Sequence, residues 1–411
     1  MNNEQPHSQR KIVNDPVHGF ISISDNILFE LIEHPYLQRL RHIKQLGLTG
    51  LVYPGAVHTR FQHTLGAFYL MGSAISVLRN KGHNISTEES TAADAAILMH
   101  DIGHGPFSHA LEQTLIERLG HEEISLLLMH RLNDHFNGQL SDAIDIFRGN
   151  TSKLFLHQLV SSQLDMDRLD YLKRDSFFSG VSEGVIGSDR IIKMLNIKDN
   201  ELVVEAKGIY SIEKFLVARR LMFWQVYLHK TALVAEKMLI NILKRAKELA
   251  LNNKDVPAPP FLNTFLKGRY CSADFMEQPH LLDDFTMLDD NDIMSALKLW
   301  RRHSDPVLSR LSCDLLDRHL LRIEIADNPF PEARVETLKK EHAPMPGLTS
   351  EELDYFVFTD HISNSTYNTG QENINIIYKD SSVKDISVAS DMLDHSAFAK
   401  TVNKYILCYP K

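Results

Sequence analysis

The sequence predicts a mainly α protein, with a small N-terminal hairpin and a smaller α+β C-terminal module, and three observations carry that expectation. From about Asn26 to about Ala250 apolar residues recur at spacings of three and four. Ahead of this region, "KIVNDPVHGFISIS" (11–24) reads as two short extended runs around Pro16 and Gly19. Beyond it, the three prolines of "NNKDVPAPP" (252–260) interrupt the helical pattern, and strand-like runs then appear among helices. The expected division is 1–250 for the helical core and 261–411 for the second module.

The elements follow in order. "TRFQHTLGAFYLMGSAISVLRN" (59–80) sets Phe61, Leu65, Phe68, Ala74, Ile75 and Leu78 at helical spacing. "STAADAAILM" is strongly helical, and Gly103, Gly105 and Pro106 should end that helix just after His100 and Asp101. A further helix covers "SSQLDMDRLDYLKRD" (161–175), and "ELVVEA" (201–206) reads as a strand opened by the turn "KDN". Residues 211–251 form a long apolar stripe ending in alternating charge. In the second module 288–302 is helical, while "HLLRIEIAD", "LDYFVFTDHIS" and "NINIIYKD" are strand-like.

Composition narrows the function. A net charge of -9 over 411 residues leaves no general electrostatic footprint for nucleic acid. The opening "MNNEQPHSQRK" lacks a signal-peptide core, and no run approaches the roughly 18 apolar residues of a membrane span, so a cytoplasmic protein is expected. Cys271, Cys313 and Cys408 are scattered and odd in number, which predicts reduced thiols without a disulfide.

The chemistry concentrates in "ILMHDIGHGPFSH" (97–109). His100 and Asp101 fall at a helix end, where side chains can converge, and they form a mixed N/O pair suited to Mn, Fe, Zn, Ni or Mg. His63 adds an imidazole from the helix of 59–80. Asp167 comes from a helix that also carries Asp165, Asp170 and Asp175, a costly density of carboxylates unless something cationic neutralises it. The expected cation site is therefore His63, His100, Asp101 and Asp167. Each residue taken alone also fits a buried histidine or a solvated acidic face.

The order His … His-Asp … Asp resembles the HD-domain metal-dependent phosphohydrolase superfamily. "HPYLQRLRHIKQLGLTGLVYPGAVHTRFQHTLG" (34–66), "MHDIGHGPFSHALE" (99–112) and "LDMDRLDYLKRDSFFSGV" (164–181) are similar to the deoxynucleoside triphosphate triphosphohydrolases, including animal enzymes that join a SAM domain to an HD domain. The resemblance spans roughly 11–245, and no SAM-like module is expected ahead of it. It implies an HD-domain helical core and a divalent metal ion on the same four residues. Its catalytic histidines and acids fall on His104, His109, Glu112, His121 and Glu122, with Glu112 standing where the animal enzymes commonly have Asp.

His109 and His121 suit proton transfer because an imidazole titrates near neutral pH, and Glu112 or Glu122 could orient one of them. Arg60, Arg168, Arg219 and Lys230 are expected to grip phosphates. Arg219, Phe223, Tyr227 and Lys230 are spaced to share one face of the long helix, which without the resemblance would read as snorkelling cations. The resemblance places Gln45 and Leu46 beside the sugar and base, Tyr171 and Tyr227 under the deoxyribose, and Asp175 at the 3′-hydroxyl. A ring against C2′ would exclude a ribose hydroxyl.

The expected activity is hydrolysis of deoxynucleoside triphosphates to deoxynucleoside and triphosphate, by a homo-oligomer that binds neither membrane nor nucleic acid. The alternatives are an HD phosphohydrolase acting on another nucleotide or phosphate ester, or a catalytically silent nucleotide-binding regulator. "NDPVHG" (14–19) is offered for a regulatory nucleotide, and the C-terminal module for assembly or regulation.

Overall fold

In the computed structural model the described residues are 11–112, 114–116, 119–343, 347–365, 367, 373–391 and 401–411. Strands β1 (Lys11–Asp15) and β2 (Gly19–Ile23) pair antiparallel, with Asp15 opposite Gly19 at the turn. Gly19 takes a φ of 78°, which favours glycine there. Alternation buries Ile21 and Ile23 while Ile12 and Phe20 face outward.

Four helices then build the framework of the site. Helix α1 (Arg60–Asn80) starts at a capping box between Thr59 and Gln62, so its first turn is fixed just before His63. Helix α2 (Thr87–Met99) has the same device in Ser86 and Glu89 and stops at His100. Helix α3 (His121–His135) opens with Glu122 and Glu123 in its first turn, where the helix dipole favours acids. Helix α4 (Met166–Ser179) is capped by Asp165, whose side chain accepts from Arg168 N, and it ends at Gly180 in the left-handed conformation.

Strands β3 (Leu195–Lys198) and β4 (Glu201–Glu205) form a hairpin, followed by α5 (Ile209–Met222). The long helix expected over 211–251 is interrupted. A π-helical turn at Phe223–Tyr227 adds a residue to the spiral, and a new helix α6 (Lys230–Leu251) begins under the His229 side chain, which accepts from Thr231 N. Arg219 therefore shares no continuous face with Tyr227 and Lys230, because the inserted residue rotates everything after it.

The C-terminal half contributes α7 (Asp290–Trp300), α8 (Pro306–Leu316), β5 (Arg322–Ala326), β6 (Phe358–Ser365), β7 (Asn375–Ile377), β8 (Val383–Asp385) and β9 (Thr401–Tyr409). One sheet has the order β5-β9-β6 and is antiparallel. The other, β3-β4-β7-β8, pairs β4 parallel to β7, so a strand from before the proline-rich break lies against one from after it. The main buried apolar core runs from Ile21 to Cys408, and a small second cluster of Val357, Leu407 and Tyr409 lies apart from it. Among the described residues no helix is long and apolar enough to cross a membrane.

Helices α1 and α4 meet at Gly66. A Cβ there would stand 2.0 Å from Asp170 Oδ1 and 2.2 Å from Arg174 Nη2, whereas one at Gly72 would meet nothing within 4 Å. Gly66→Ala should lower stability by about 3 kcal/mol through overpacking against a buried ion pair. Gly72→Ala, on the same helix, should raise it by up to about 1 kcal/mol. Thermal melts of the two variants beside wild type check this; a similar shift for both would contradict it.

Candidate active site

His63, from the first turn of α1, and His100 with Asp101, from the end of α2, bring ligand atoms within 4.8 Å of one another. Asp167, in the first turn of α4, joins them: its Oδ1 lies 3.0 Å from His63 Nε2 and 3.7 Å from His100 Nε2. The sequence brings α2 to its stop here through Gly103. A Cβ at that position would lie 2.1 Å from the His121 carbonyl oxygen, so only glycine lets α3 settle on the turn. Gly103 N donates to Ser125 Oγ (2.9 Å), and Ser125 Oγ donates to the His100 carbonyl (3.0 Å).

Both imidazoles are prepared as ligands. His63 Nδ1 contacts Asp170 Oδ2 at 2.8 Å and His100 Nδ1 contacts the Ile97 carbonyl at 2.6 Å, so each ring donates from Nδ1 and turns the lone pair of Nε2 to the centre. Those two Nε2 atoms are buried and find no hydrogen-bond partner among the described residues. Burial alone would raise the Asp101 carboxyl, but Arg60, His100 and His104 hold it well below the usual range; His100 and His63 do the same for Asp167. Two nitrogen donors without partners beside two ionised carboxylates fit a divalent cation, without selecting which.

Behind His63 stands a network that residue spacing does not reveal. Asp170 accepts from His63, from His18 Nε2 (2.7 Å) and from Arg174 Nε (2.8 Å) and Nη2 (3.0 Å), while Arg174 Nη1 donates to Asp15 Oδ2 (2.7 Å). Asp15 and His18 belong to "NDPVHG", so the side chains considered for a regulatory nucleotide turn inward and brace the cation site. Two of the four carboxylates find a countercharge on the helix itself, Asp165 with Arg168 and Asp170 with Arg174, while Asp167 meets His63 and His100 and Asp175 meets His58.

Beside this centre, the His104 and His121 rings stack with centroids 3.9 Å apart, tilted by 16°. Glu112 Oε1 accepts from His121 Nδ1 at 3.1 Å, so the glutamate reaches the imidazole that it was expected to orient. His104 Nε2 lies 3.3 Å from Asp101 Oδ1. Burial, with the neighbouring Arg60 charge, pushes His104 down to about 3, and it stays neutral at any physiological pH. Glu122 is exposed where it borders the cleft. His109 begins a short helix, and its side chain lies outside the described residues.

Two cavities adjoin here. A cleft of about 600 Å³ contains His100, Asp101, His121, Asp167, Arg168 and Tyr171. A second space of about 200 Å³ is walled by Leu46, Phe107, Ser108, Tyr227 and Leu239, and Gln45 and Arg60 line both. Arg60 donates to Asp101 Oδ2 (2.6 Å) and to Ser108 Oγ (2.8 Å). Asp175 sits behind the pocket, with Oδ2 accepting from Tyr227 Oη and Oδ1 contacting His58 Nε2, both at 2.7 Å. Both its oxygens are thus engaged within the protein. Arg219 keeps a buried Nη1 with no hydrogen-bond partner among the described residues and Lys230 is exposed; neither of these expected phosphate ligands lines either cavity. His157, also in the cleft wall, was not singled out; nothing in its spacing marks it.

Replacing Asp170 by Asn should cut metal affinity roughly 10–100-fold, because the His63 ring loses its anionic support. A chelator competition read by metal analysis tests it, and an unchanged affinity would refute the support role. Affinity should also climb with pH. Burial alone would lower His63, but Asp167 and Asp170 raise it to about 10, so a cation must displace a proton. Below that value the expected gain is about tenfold per pH unit; a flat titration from pH 6 to 8 would contradict it.

Comparison with known proteins places this geometry. Residues 60–175 match the family described as HD domain, and 186–261 match the HD associated region. YwfO, an uncharacterized protein of Bacillus subtilis, is 30% identical over 98% of this chain and 93% of its own length. The deoxynucleoside triphosphate triphosphohydrolase SAMHD1 homolog of Dictyostelium discoideum is 30% identical over 60% of this chain, which spans 52% of that protein. The Homo sapiens deoxynucleoside triphosphate triphosphohydrolase SAMHD1 is 29% identical over 58% of this chain, which spans 45% of it. Among solved structures, a phosphohydrolase from Bacteroides thetaiotaomicron superposes with a TM-score of 0.95 at 54% identity, covering 98% of this chain and 100% of that one. Relatives matched over nearly their whole length, and an HD match that contains all four expected ligands, make this chain a member of the HD-domain phosphohydrolase superfamily.

Proposed function

We propose that the protein hydrolyses deoxynucleoside triphosphates to deoxynucleoside and inorganic triphosphate. The observation that carries this reading is the pair of adjoining cavities with Gln45 and Arg60 in common: one holds the cation-competent cluster and the proton-transfer histidine, the other is smaller, of mixed polar and apolar lining and of a size for a nucleoside. The names of the Dictyostelium and human relatives point to the same substrate class. A divalent ion held by His63, His100, Asp101 and Asp167 would polarise a phosphate oxygen and lower the pKa of a water.

The remaining steps belong to the side chains. Arg168 and Arg60, which line the cleft, face the phosphates. Water attacks the α-phosphorus and gives up a proton to solvent, the bond to the 5′-oxygen breaks, and that oxygen needs a proton. His121 supplies it from Nε2, since Nδ1 is committed to Glu112. His104, held neutral, fixes the plane of the His121 ring without competing for the proton. Tyr171 and Tyr227, with ring centroids 6.3 Å apart and nearly edge to face, crowd the sugar and disfavour a 2′-hydroxyl.

A matrix of metal ions against the four dNTPs, with products separated by chromatography, tests the reading. Triphosphate and deoxynucleoside are expected; orthophosphate or pyrophosphate from dGTP would point to another phosphate ester, and binding without turnover to a silent regulator. His121→Ala should lower kcat by roughly 10²–10⁴-fold with bound metal unchanged.

A further inference from the structure

The strip of chain that opens α7 is joined to both walls of the nucleoside pocket by buried polar contacts that catalysis does not use. Asp290, 5% exposed, accepts from Lys44 N at Oδ2 (3.0 Å) and from Phe107 N at Oδ1 (3.1 Å). Arg39, 6% exposed, donates to the Leu288 carbonyl (3.0 Å) and to the carbonyls of Ile102 and His104 (both 2.9 Å). Lys44 precedes Gln45, which lines both cavities; Phe107 and Ser108 form the facing wall. Phe107 and Ser108 both adopt positive φ, 49° and 35°, a conformation that side chains resist and that the surroundings must hold. Asp290 holds it at the Phe107 N–H, and Arg60 holds it at Ser108 Oγ.

Resting on the nucleotide reading above, we infer that Asp290 is a positioning residue that sets substrate specificity: its carboxylate spans the gap between the Gln45 wall and the Phe107–Ser108 wall and fixes the width of the nucleoside pocket. A carboxylate is required because it offers an acceptor oxygen to each loop. An amide offers one acceptor and turns an N–H toward the other loop's N–H, so one wall is released. The first turn of a helix is also where a buried anion is best tolerated. The C-terminal half of the chain thereby acts on the site without touching substrate.

The test uses the full chain loaded with metal. In wild type, hydrogen exchange should find the amides of Lys44 and Phe107 protected, although both end on this side chain and neither donates to a backbone carbonyl. In Asp290→Asn both should exchange faster, KM for dGTP should rise about tenfold, the weight of one buried charge-assisted hydrogen bond, with kcat and bound metal retained. The comparison variant is Asp292→Ala, which removes the acceptor for Asp289 N (2.9 Å) on the same helical turn. It should lower the melting temperature and leave KM and both amides unchanged. Unprotected amides in wild type, equal KM effects in the two variants, or metal lost in step with KM would each overturn the inference. A wild type that neither binds nor cleaves dGTP would instead sink the nucleotide reading, while the exchange data would still decide whether Asp290 ties the loops.

Discussion

The buried contact between Asp170 and His63 is the constraint on which the rest of the site depends. A carboxylate with no exposure to solvent is tolerated only when its lone pairs are filled and its charge is balanced. Arg174 balances it, His18 and His63 fill it, and Asp15 takes the remaining donors of Arg174. One ionic cluster therefore pins the N-terminal hairpin, α1 and α4 to a common point. Buried pairs of this kind contribute little net stability, yet removing one partner is costly. Their value here is orientation, because the same carboxylate holds His63 Nδ1 and so aims Nε2 at the centre.

Orientation at His63 propagates into a division of labour between neighbouring histidines. His63 and His100 turn their Nε2 atoms toward the centre, His104 is kept uncharged by burial and Arg60, and His121, more open to solvent, is bound to Glu112. Four imidazoles within a short radius would repel one another if all carried protons. Carboxylates placed between them allow separate roles, and Asp101 lies within 4 Å of Arg60, His63, His100 and His104.

Much of this was legible in the residues. The spacing in 59–80 defines α1 because apolar residues recur at three and four over its whole length, although the helix is buried on most of its sides, and Gly103, Gly105 and Pro106 follow where α2 stops. His63, His100, Asp101 and Asp167 could be selected because ligand chemistry restricts the residue types. What escaped was partnership across the fold. Arg174 looks like a surface charge until α1 closes over it, and the need for Gly66 appears only when α4 is in place. The π-helical turn at Phe223–Tyr227 escaped because a single added residue barely disturbs the apolar period, yet it undoes the face shared by Arg219 and Lys230. Asp290 was invisible for a similar reason: a carboxylate at a helix start is usually a cap, and only the tertiary structure presents it with amides from two distant loops.

The parallel pairing of β4 with β7 also bears on how the molecule is made. Val203 and Asn375 meet although most of the second half of the chain lies between them, and a parallel pair of such separation forms late because loop-closure entropy must first be overcome. All four residues proposed to hold the cation precede β4 in the chain, while the strip that opens α7 follows it. During synthesis those four residues thus leave the ribosome before the segment that carries Asp290. On the proposed reading, the order of emergence separates gathering a metal from recognising a nucleotide, and the second capacity waits on the C-terminal half.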